Sequence, residues 1–324
     1  MSLHVVEPGL YTLVVDFGRL RSRSLGVPVG GAADRAALML GNALVGNPPD
    51  AAALEFSLTG PTLRAESELA CVVVGAPFEL FSDRQRLVPG KTFTLQPGEG
   101  LCIGGTKLGM RAYLCVRGGL QTPTLLGSRS SLEPLLAGIA LPCPAGAIHA
   151  RFGPPLRTGL RGQPGVPKEL RVLEGPQAEW FLADEFYDQR FTITPASNRM
   201  GLRLQGAPLP FPTRELLSEP VCPGAVQVTR DGQCIVLGVD GQTIGGYPKI
   251  AQVISADLDR LGQLRPGDEV EFARVDLEEA ESLYQQQQVE LREWVTRLQA
   301  SVDVLGGRER KPPRQDAPDA PDSP

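Results

Sequence analysis

Short runs of apolar and β-branched residues recur through the first half of the chain, and Gly- or Pro-containing dipeptides separate them. Runs of this kind predict strands, and Gly and Pro favour the turns between them. The clearest predicted strands cover residues 11–15, 70–74, 101–103 and 111–116. Many short strands with regular turns favour a β-barrel or a β-sandwich.

One segment of this half has a helical period instead. Ala37, Leu40 and Leu44 fall on one face at i, i+3 and i+7, which predicts a helix over residues 34–45. Gly46 tolerates a positive φ, and a proline two residues later cannot continue a helix, so the helix is expected to end there.

The second half again has the strand pattern. Strands are predicted at residues 170–173, 191–194, 202–204, 225–229, 234–237, 250–254 and 269–275, with a helix at 178–186. Asp231-Gly232 lies between two of these runs, which predicts a β-hairpin with a type I′ turn and a positive φ at both central positions.

A long helix is predicted from a capping box at Asp276 and Glu279 to about residue 301. Leucine or tyrosine recurs every seven residues, at Leu277, Tyr284, Leu291 and Leu298. Two interpretations remain open. The helix packs on its own domain, or it is a docking helix for a partner protein.

Proline and glycine content divides the chain into lobes. Residues 153–168 contain four prolines and four glycines, which is typical of a linker. Residues 305–324 are charged and proline-rich, which is typical of disorder. We therefore expect a β-rich lobe at 1–152 and a second one at 169–304 that includes the long helix.

Charge and composition narrow the range of possible partners, locations and sites. The net charge of −5 argues against nucleic acid and anionic membranes as partners. No basic, then apolar, leader opens the chain and no apolar run approaches about 20 residues, so we expect a cytoplasmic protein. The chain has two histidines and no C-x-x-C, so we expect no metal site, and its cysteines are expected to be unpaired. Three of them, Cys71, Cys102 and Cys115, are predicted core residues.

A polar segment with two glycines stands between two predicted strands, at residues 240–250. Gly245 and Gly246 allow a close backbone approach to a ligand. Lys249 adds a mobile positive charge, and Gln242 and Thr243 add hydrogen bonds suited to an amide or a carboxylate. The alternative interpretation is a tight turn with an exposed lysine.

Three further segments are weaker candidates. Arg199 follows a polar loop and is suited to clamp a carboxylate, although a surface arginine is the simpler interpretation. Gly30-Gly31 precede a helix whose N-terminus can bind an anion. Ser128 lacks a nucleophile elbow, so a serine hydrolase is disfavoured.

The chain resembles the carboxyltransferase subdomain A and B family, which includes the C subunit of 5-oxoprolinase (KipA) and allophanate hydrolase subunit 2. The motifs that carry the resemblance lie at residues 26–34, 44–47, 60–61, 111–114, 118–119, 126–130, 175–177, 199–204, 223–228 and 242–250. They span about residues 9–275, and the last motif is the most specific.

The resemblance implies a mainly β protein with a few helices, two β-rich lobes and a barrel like that of cyclophilin. It implies a complex with a smaller homologous B subunit (KipI-like), often with a third subunit. Two activities occur in the family. One is ATP-dependent opening of 5-oxoproline to glutamate, and the other is carboxyl transfer from biotin to urea or a related amide.

Residues in the matching motifs supply the site prediction. The predicted catalytic residues are Lys249, Tyr247, Gln242 and Thr243, and the predicted substrate-binding residues are Arg199, Gln227, Asp240, Gly245 and Gly246. ATP is expected to act through the complex, biotin belongs to the alternative activity, and no metal is assigned. Donors of this kind suit a carbonyl oxygen on which negative charge develops.

The chain also departs from the family pattern. Gly241 stands where an arginine is usual, Ser22-Arg23 replace a Gly-Tyr, and residues 132–144 replace a glycine-rich stretch. Three hypotheses follow: a component of 5-oxoprolinase, which is an amide-bond hydrolase, a biotin-dependent carboxyltransferase, or a non-catalytic regulatory subunit.

Overall fold

The computed structural model describes residues 1–153, 167–214 and 216–306. Strands dominate it, and it has two β-rich lobes, of which the second contains a closed barrel, followed by a long helix. This confirms the predicted fold class. Residues 154–166 of the predicted linker and residues 307–324 of the predicted tail lie outside the described residues.

Two sheets make up the first lobe. Its strands are β1 (Ser2–Glu7), β2 (Thr12–Val15), β3 (Ala53–Ser57), β4 (Thr62–Ala65), β5 (Leu69–Gly75), β6 (Leu80–Ser82), β7 (Arg86–Leu87), β8 (Phe93–Leu95), β9 (Gly100–Ile103), β10 (Arg111–Val116) and β11 (Ala140–Pro142). The six-stranded sheet has the order β11-β1-β4-β9-β6-β7, and the five-stranded sheet has the order β2-β3-β10-β5-β8.

The five-stranded sheet is covered on both faces. Apolar residues of β1 and β4 meet those of β3 and β10 in one core between the two sheets. On the other face, a helix, α1 (Arg35–Val45), packs against β5 and β10. Because neither face of β10 meets water, all six of its residues are buried, which explains its unbroken apolar run.

Helix α1 begins and ends where the sequence predicts. Asp34 has extended backbone dihedrals and its carboxylate accepts a hydrogen bond from the Ala37 amide at 2.9 Å. At the other end Gly46 adopts a left-handed conformation, with φ 78°. The apolar face of α1, which includes the buried residues Leu38 and Leu44, packs on the five-stranded sheet.

The second lobe is a seven-stranded barrel with a small two-stranded sheet beside it. Its strands are β12 (Lys168–Glu174), β13 (Phe191–Ile193), β14 (Gly201–Gln205), β15 (Glu219–Pro220), β16 (Ala225–Val228), β17 (Cys234–Leu237), β18 (Ile244–Gly245), β19 (Lys249–Val253) and β20 (Glu269–Arg274). The barrel closes in the order β12-β19-β16-β17-β14-β13-β20, and β15 pairs with β18. Two short helices, α2 (Ala183–Tyr187) and α3 (Leu258–Leu261), complete it.

Three local predictions are wrong. The hairpin between β16 and β17 has a positive φ at Gly232 but not at Asp231, because its loop is longer than the two residues of a type I′ turn. The helix expected at 178–186 is interrupted, since Phe181 is extended between a 3-10 turn and α2. Cys102 is exposed, because alternate residues of β9 face opposite sides of the sheet.

The C-terminal helix, α4 (Leu277–Gly306), connects the two lobes. The Asp276 carboxylate caps it through the Glu279 amide, as predicted, and the helix extends past residue 301. Ala280 packs on Ile254 of the second lobe, whereas Leu291 packs in the core around α1 of the first lobe. The helix therefore packs on both lobes, and not on its own domain alone as one of the two interpretations had it.

None of the helices in the described ranges is long and apolar enough to cross a membrane.

Candidate functional site

The two lobes meet at a cluster of four charged side chains, which we call the interlobe clasp: Glu55 and Arg111 from the first lobe, and Arg199 and Asp240 from the second. The first three are buried, and Asp240 is partly exposed. The Arg199 guanidinium forms an ion pair with Glu55, and its Nη2 donates to the Gly31 carbonyl at 2.6 Å. Arg199 also donates from Nε to Asp240 Oδ2 at 2.7 Å and from Nη2 to Oδ1 at 3.0 Å. The predicted surface arginine is therefore wrong.

The charges of the clasp stabilise one another. Burial opposes ionisation of Glu55, but Arg199 and Arg111 together hold its pKa below the ordinary value. Hydrogen bonds from the Ala33 amide at 2.9 Å and the Tyr113 hydroxyl at 2.8 Å act in the same direction. Burial also opposes the charge of Arg199, yet the carboxylates beside it raise its pKa. The clasp is thus an ionic network in which each charge has an opposite charge beside it, while Arg111 Nε contacts Glu55 at 3.4 Å without a hydrogen-bond partner among the described residues.

A second polar joint lies beside the clasp, at the start of α1. The Gln263 side chain donates to Asp34 at 2.7 Å, and the Arg111 guanidinium donates to the Gly262 carbonyl at 2.6 Å. Asp259, from the second lobe, accepts from the Arg35 amide at 2.9 Å. The first amides of α1 are therefore occupied by the carboxylates of Asp34 and Asp259, which contradicts the anion site predicted at this helix end.

Lys249 opens strand β19 and is buried, with its side chain 8% exposed. Its ammonium forms an ion pair with Glu219 on β15. Gln177 donates to the same carboxylate at 2.9 Å and accepts from the Lys249 amide at 3.0 Å. We call Gln177, Glu219 and Lys249 the barrel-edge cluster. Lys249 is not the mobile or exposed lysine that the sequence suggested, because two neighbouring segments hold it in place.

The glycine segment lies against this cluster. Gly245 pairs with Glu219 across the two-stranded sheet, and Gln227 pairs with Lys249 across the barrel. A Cβ at Gly245 would come within 2.6 Å of the Gln227 side-chain Nε2, so a larger residue at this position would have to displace the end of that glutamine. Gln227 is 1% exposed, and its Nε2 has no hydrogen-bond partner among the described residues.

The remaining predicted residues differ in their access to solvent. Thr243 is buried, whereas Gln242, Gly246 and Tyr247 are exposed at the barrel surface. Seven of the nine predicted residues thus lie along 242–249 or on the strand beside it, and the other two, Arg199 and Asp240, belong to the interlobe clasp. The structure separates the predicted site into these two groups.

A cleft of about 920 Å³ runs between the lobes. Strands β17 and β19 line it from the barrel, and α1 and α4 line it from the other side. Its lining includes Arg199 but not Lys249, Gln242 or Tyr247. The cleft therefore reaches the clasp and not the barrel-edge cluster.

The serine motif at 128–130 anchors a loop. Asp16 accepts from the hydroxyls of Ser128 at 2.5 Å and Ser130 at 2.7 Å, and from the Arg129 amide at 2.6 Å. These hydrogen bonds hold the pKa of Asp16 below its ordinary value against the opposing effect of burial. The motif thus attaches residues 128–130 beside strand β2.

Several motifs that resemble the family contribute residues to the contacts described above. Gly31, Arg111 and Arg199 take part in the interlobe clasp, and Gln227 pairs with Lys249. A family model, carboxyltransferase domain, subdomain A and B, matches residues 25–274. The chain belongs to this family. Over 296 residues it is 37% identical to the C subunit of 5-oxoprolinase from Escherichia coli, and the match covers 88% of the chain and 95% of that protein.

Two further relatives show the breadth of the family. The chain is 35% identical to the C subunit of 5-oxoprolinase from Haemophilus influenzae, over 86% of the chain and 93% of that protein. The solved structure of K. lactis urea amidolyase superposes with a TM-score of 0.81 at 26% identity. This superposition covers 90% of the chain but 20% of the longer urea amidolyase.

The sequence analysis missed four residues that build these two clusters: Gln177, Glu219, Glu55 and Arg111. Gln177 and Arg111 lie in quoted motifs, so their positions carried a signal. Glu55 also carried one, because it is a lone charge within an apolar strand. No local pattern pointed to Glu219. In the described residues, no group of three or more His, Cys, Asp or Glu side chains is placed to hold a metal ion.

Proposed function

We propose that this chain is the C subunit of an ATP-dependent 5-oxoprolinase, working with a KipI-like B subunit and a third subunit. The observation that carries the proposal is the 37% identity to the E. coli relative, which extends over 95% of that protein. A match along nearly the whole relative supports the same role in a complex better than a match to one shared domain does.

The barrel-edge cluster is the proposed reaction site. Opening of the lactam adds a water oxygen to the carbonyl carbon, breaks the ring C–N bond and delivers a proton to the departing nitrogen. Negative charge develops on the carbonyl oxygen as water adds, and a preorganised ammonium stabilises it. Glu219 holds the Lys249 ammonium in place before substrate arrives, and Gln177 fixes the Glu219 carboxylate and the Lys249 backbone amide. Gln242 and Tyr247 are exposed beside it.

ATP belongs to the assembled complex in this proposal. The sequence contains neither G-x-x-x-x-G-K-[ST] nor G-x-G-x-x-G, and the amides at the N-terminus of α1 are occupied by two carboxylates. The N-terminus of α1 thus does not match a conventional phosphate cradle, and we assign no ATP contact to it or to the barrel-edge cluster.

Reconstitution tests the proposal. The chain is mixed with the KipI-like subunit and the third subunit, and glutamate released from 5-oxoproline is measured with and without ATP. With Lys249→Met we expect kcat to fall about 100- to 1,000-fold, because a polarising group is lost. The matched control is Lys168→Met, which removes another barrel lysine that forms an ion pair, with Asp268. Its activity should match that of the unmodified chain.

A second candidate is carboxyl transfer from biotin to urea or a related amide. The close superposition on urea amidolyase favours it. In the same reconstitution, urea-dependent decarboxylation of carboxybiotin without ATP-dependent glutamate release would select this candidate and reject 5-oxoprolinase activity.

The third candidate is a non-catalytic subunit, and the pairing of Lys249 with Glu219 favours it, because that ammonium is already neutralised. If Lys249→Met and Arg199→Lys leave every activity of the complex unchanged, these residues have no catalytic role and the regulatory candidate replaces the first two.

A further inference from the structure

Two arginines of the first lobe, Arg23 and Arg35, line the interlobe cleft. Each uses one guanidinium nitrogen on a backbone carbonyl. Arg23 Nη2 donates to Val221 of the opposite lobe, and Arg35 Nη2 donates to Phe17 at 3.2 Å. Neither forms an ion pair with a carboxylate within the described ranges, so both bring positive charge to the same cleft.

Arg23 also has an unsatisfied donor. Its Nη1 is buried and lacks a hydrogen-bond partner among the described residues. Leaving a charged donor buried without a partner is costly, which makes the nitrogen a strong candidate to bind a ligand atom. The guanidinium fork suits the oxygens of a carboxylate or a phosphate.

The acidic residues that line the cleft leave the positive charge of Arg23 and Arg35 largely unneutralised. Asp259 is directed to the α1 backbone, where its Oδ1 accepts from the Arg35 amide. Burial raises the pKa of Asp259 in spite of the nearby charge of Arg35, which weakens it as a counter-ion. Glu281, on α4, also lines the cleft and, among the described residues, forms no ion pair with either arginine. The arginines of the clasp, Arg111 and Arg199, are already paired with Glu55.

The rest of the cleft is suited to a small organic molecule. Its size, about 920 Å³, is within the usual range for ligand sites. Apolar and aromatic side chains dominate the walls, among them Phe17 and Met39 of the first lobe and Leu277 and Tyr284 of α4. Leu277 and Tyr284 are 61% and 42% exposed, although they lie at apolar positions of α4.

We propose that the interlobe cleft binds a small organic anion, a carboxylate or a phosphate with an apolar or ring portion, through Arg23 and Arg35. The site is separate from the barrel-edge cluster, and only the choice of its candidate ligands rests on the function proposed above. Two anions fit the chemistry: a cyclic amino-acid carboxylate such as 5-oxoproline, and the phosphates of ATP.

Calorimetric titration of the full-length chain distinguishes these two sources. Each anion is compared with a neutral analogue: 5-oxoproline with 2-pyrrolidinone, and ATP with adenosine. We expect one anion to bind at least tenfold more tightly than its analogue, which corresponds to about 1.4 kcal/mol. Absence of binding by both anions, or equal binding of anion and analogue, would overturn the proposal.

Variants assign the binding to the two arginines. Arg23→Gln together with Arg35→Gln should weaken anion binding at least tenfold, whereas Arg21→Gln, an exposed arginine in the same loop, should leave it within twofold. Thermal unfolding confirms that each variant is folded. Unchanged binding by the double variant contradicts the proposal. Lys249→Met should bind normally, so failure of this site and failure of the proposed reaction are separate results.

A thiol-labelling experiment tests the location without any substitution. Cys222 lines the cleft, and both Cys222 and Cys102 are free and exposed. The bound anion should slow alkylation of Cys222 several-fold and leave Cys102 unaffected. Equal rates at Cys222 with and without the anion would place the ligand elsewhere and refute the proposed location.

Discussion

The interlobe clasp and the barrel-edge cluster both hold a basic side chain that sequence analysis assigned to substrate. They differ in how completely that side chain is satisfied. Arg199 is bound by two carboxylates and a backbone carbonyl and is buried between the lobes. Lys249 has one carboxylate partner, Glu219, whose side chain is 36% exposed at the surface of the barrel.

This difference distinguishes a structural role from a role in the reaction. A buried guanidinium shared by two carboxylates, of which Glu55 is buried and Asp240 is 32% exposed, stabilises the arrangement of the lobes and has little left for a ligand. An ammonium held by one solvent-accessible carboxylate can exchange that partner for a carbonyl oxygen at a modest cost. This contrast supports the proposals that Arg199 positions the lobes and that Lys249 acts on substrate.

The largest effect is expected at the clasp. Arg199→Met removes the shared cation and leaves the carboxylate of Glu55, which is almost fully buried, with Arg111 alone. Breaking a buried pair in this way usually costs about 3–5 kcal/mol. Urea unfolding measures the loss, with Arg203→Met, at an exposed position nearby, as the control. Equal stability of the two variants would show that the clasp is not structural.

Acid should weaken the same contact. The pKa of Glu55 is lowered in the folded chain, so Glu55 contributes stability that is present above its unfolded pKa of about 4.3 and is lost as the pH falls through the folded value. We expect the free energy of unfolding to fall steeply below about pH 4.3. In Glu55→Gln that part of the decline should disappear. A profile identical to that of the unmodified chain would assign the acid sensitivity to other carboxylates.

Helix α4 provides the next test, because it packs on both sides of the interlobe contact. Leu291→Ala removes a buried side chain from the core around α1 and should cost about 2–3 kcal/mol. Leu277→Ala, fourteen residues earlier in the same seven-residue pattern, truncates a side chain that is 61% exposed and should change stability by less than about 0.5 kcal/mol. Equal losses of stability in the two variants would argue against the packing of Leu291 in the core around α1.

The smallest stability effect is expected at the barrel edge. Glu219→Gln breaks a partly exposed ion pair and should cost less than about 1 kcal/mol. Activity of the reconstituted complex should respond more strongly, since Lys249 is no longer held in position, and Glu219→Asp should recover part of it. A large loss of stability with unchanged activity would reverse the contrast with Arg199.

Local patterns in the sequence were sufficient for most of the fold. Strand β10 was predicted at its observed bounds, and α1 was predicted from its apolar period and its stop signal at Gly46. The hairpin before Cys234 was placed correctly but given the wrong turn, because loop length depends on strand pairing. The heptad pattern of α4 did not show which lobe each leucine would meet.

The sequence by itself determined the strand-rich class, the limits of the main elements and the family, because these follow from the period of apolar residues and from short contiguous motifs. Only the tertiary structure decided that Arg199 meets Glu55, that Glu219 holds Lys249, and that Arg23 and Arg35 line one cleft. These residues are far apart in the chain, and a charged side chain carries no local sign of its partner. Its role is therefore set by what folding places beside it.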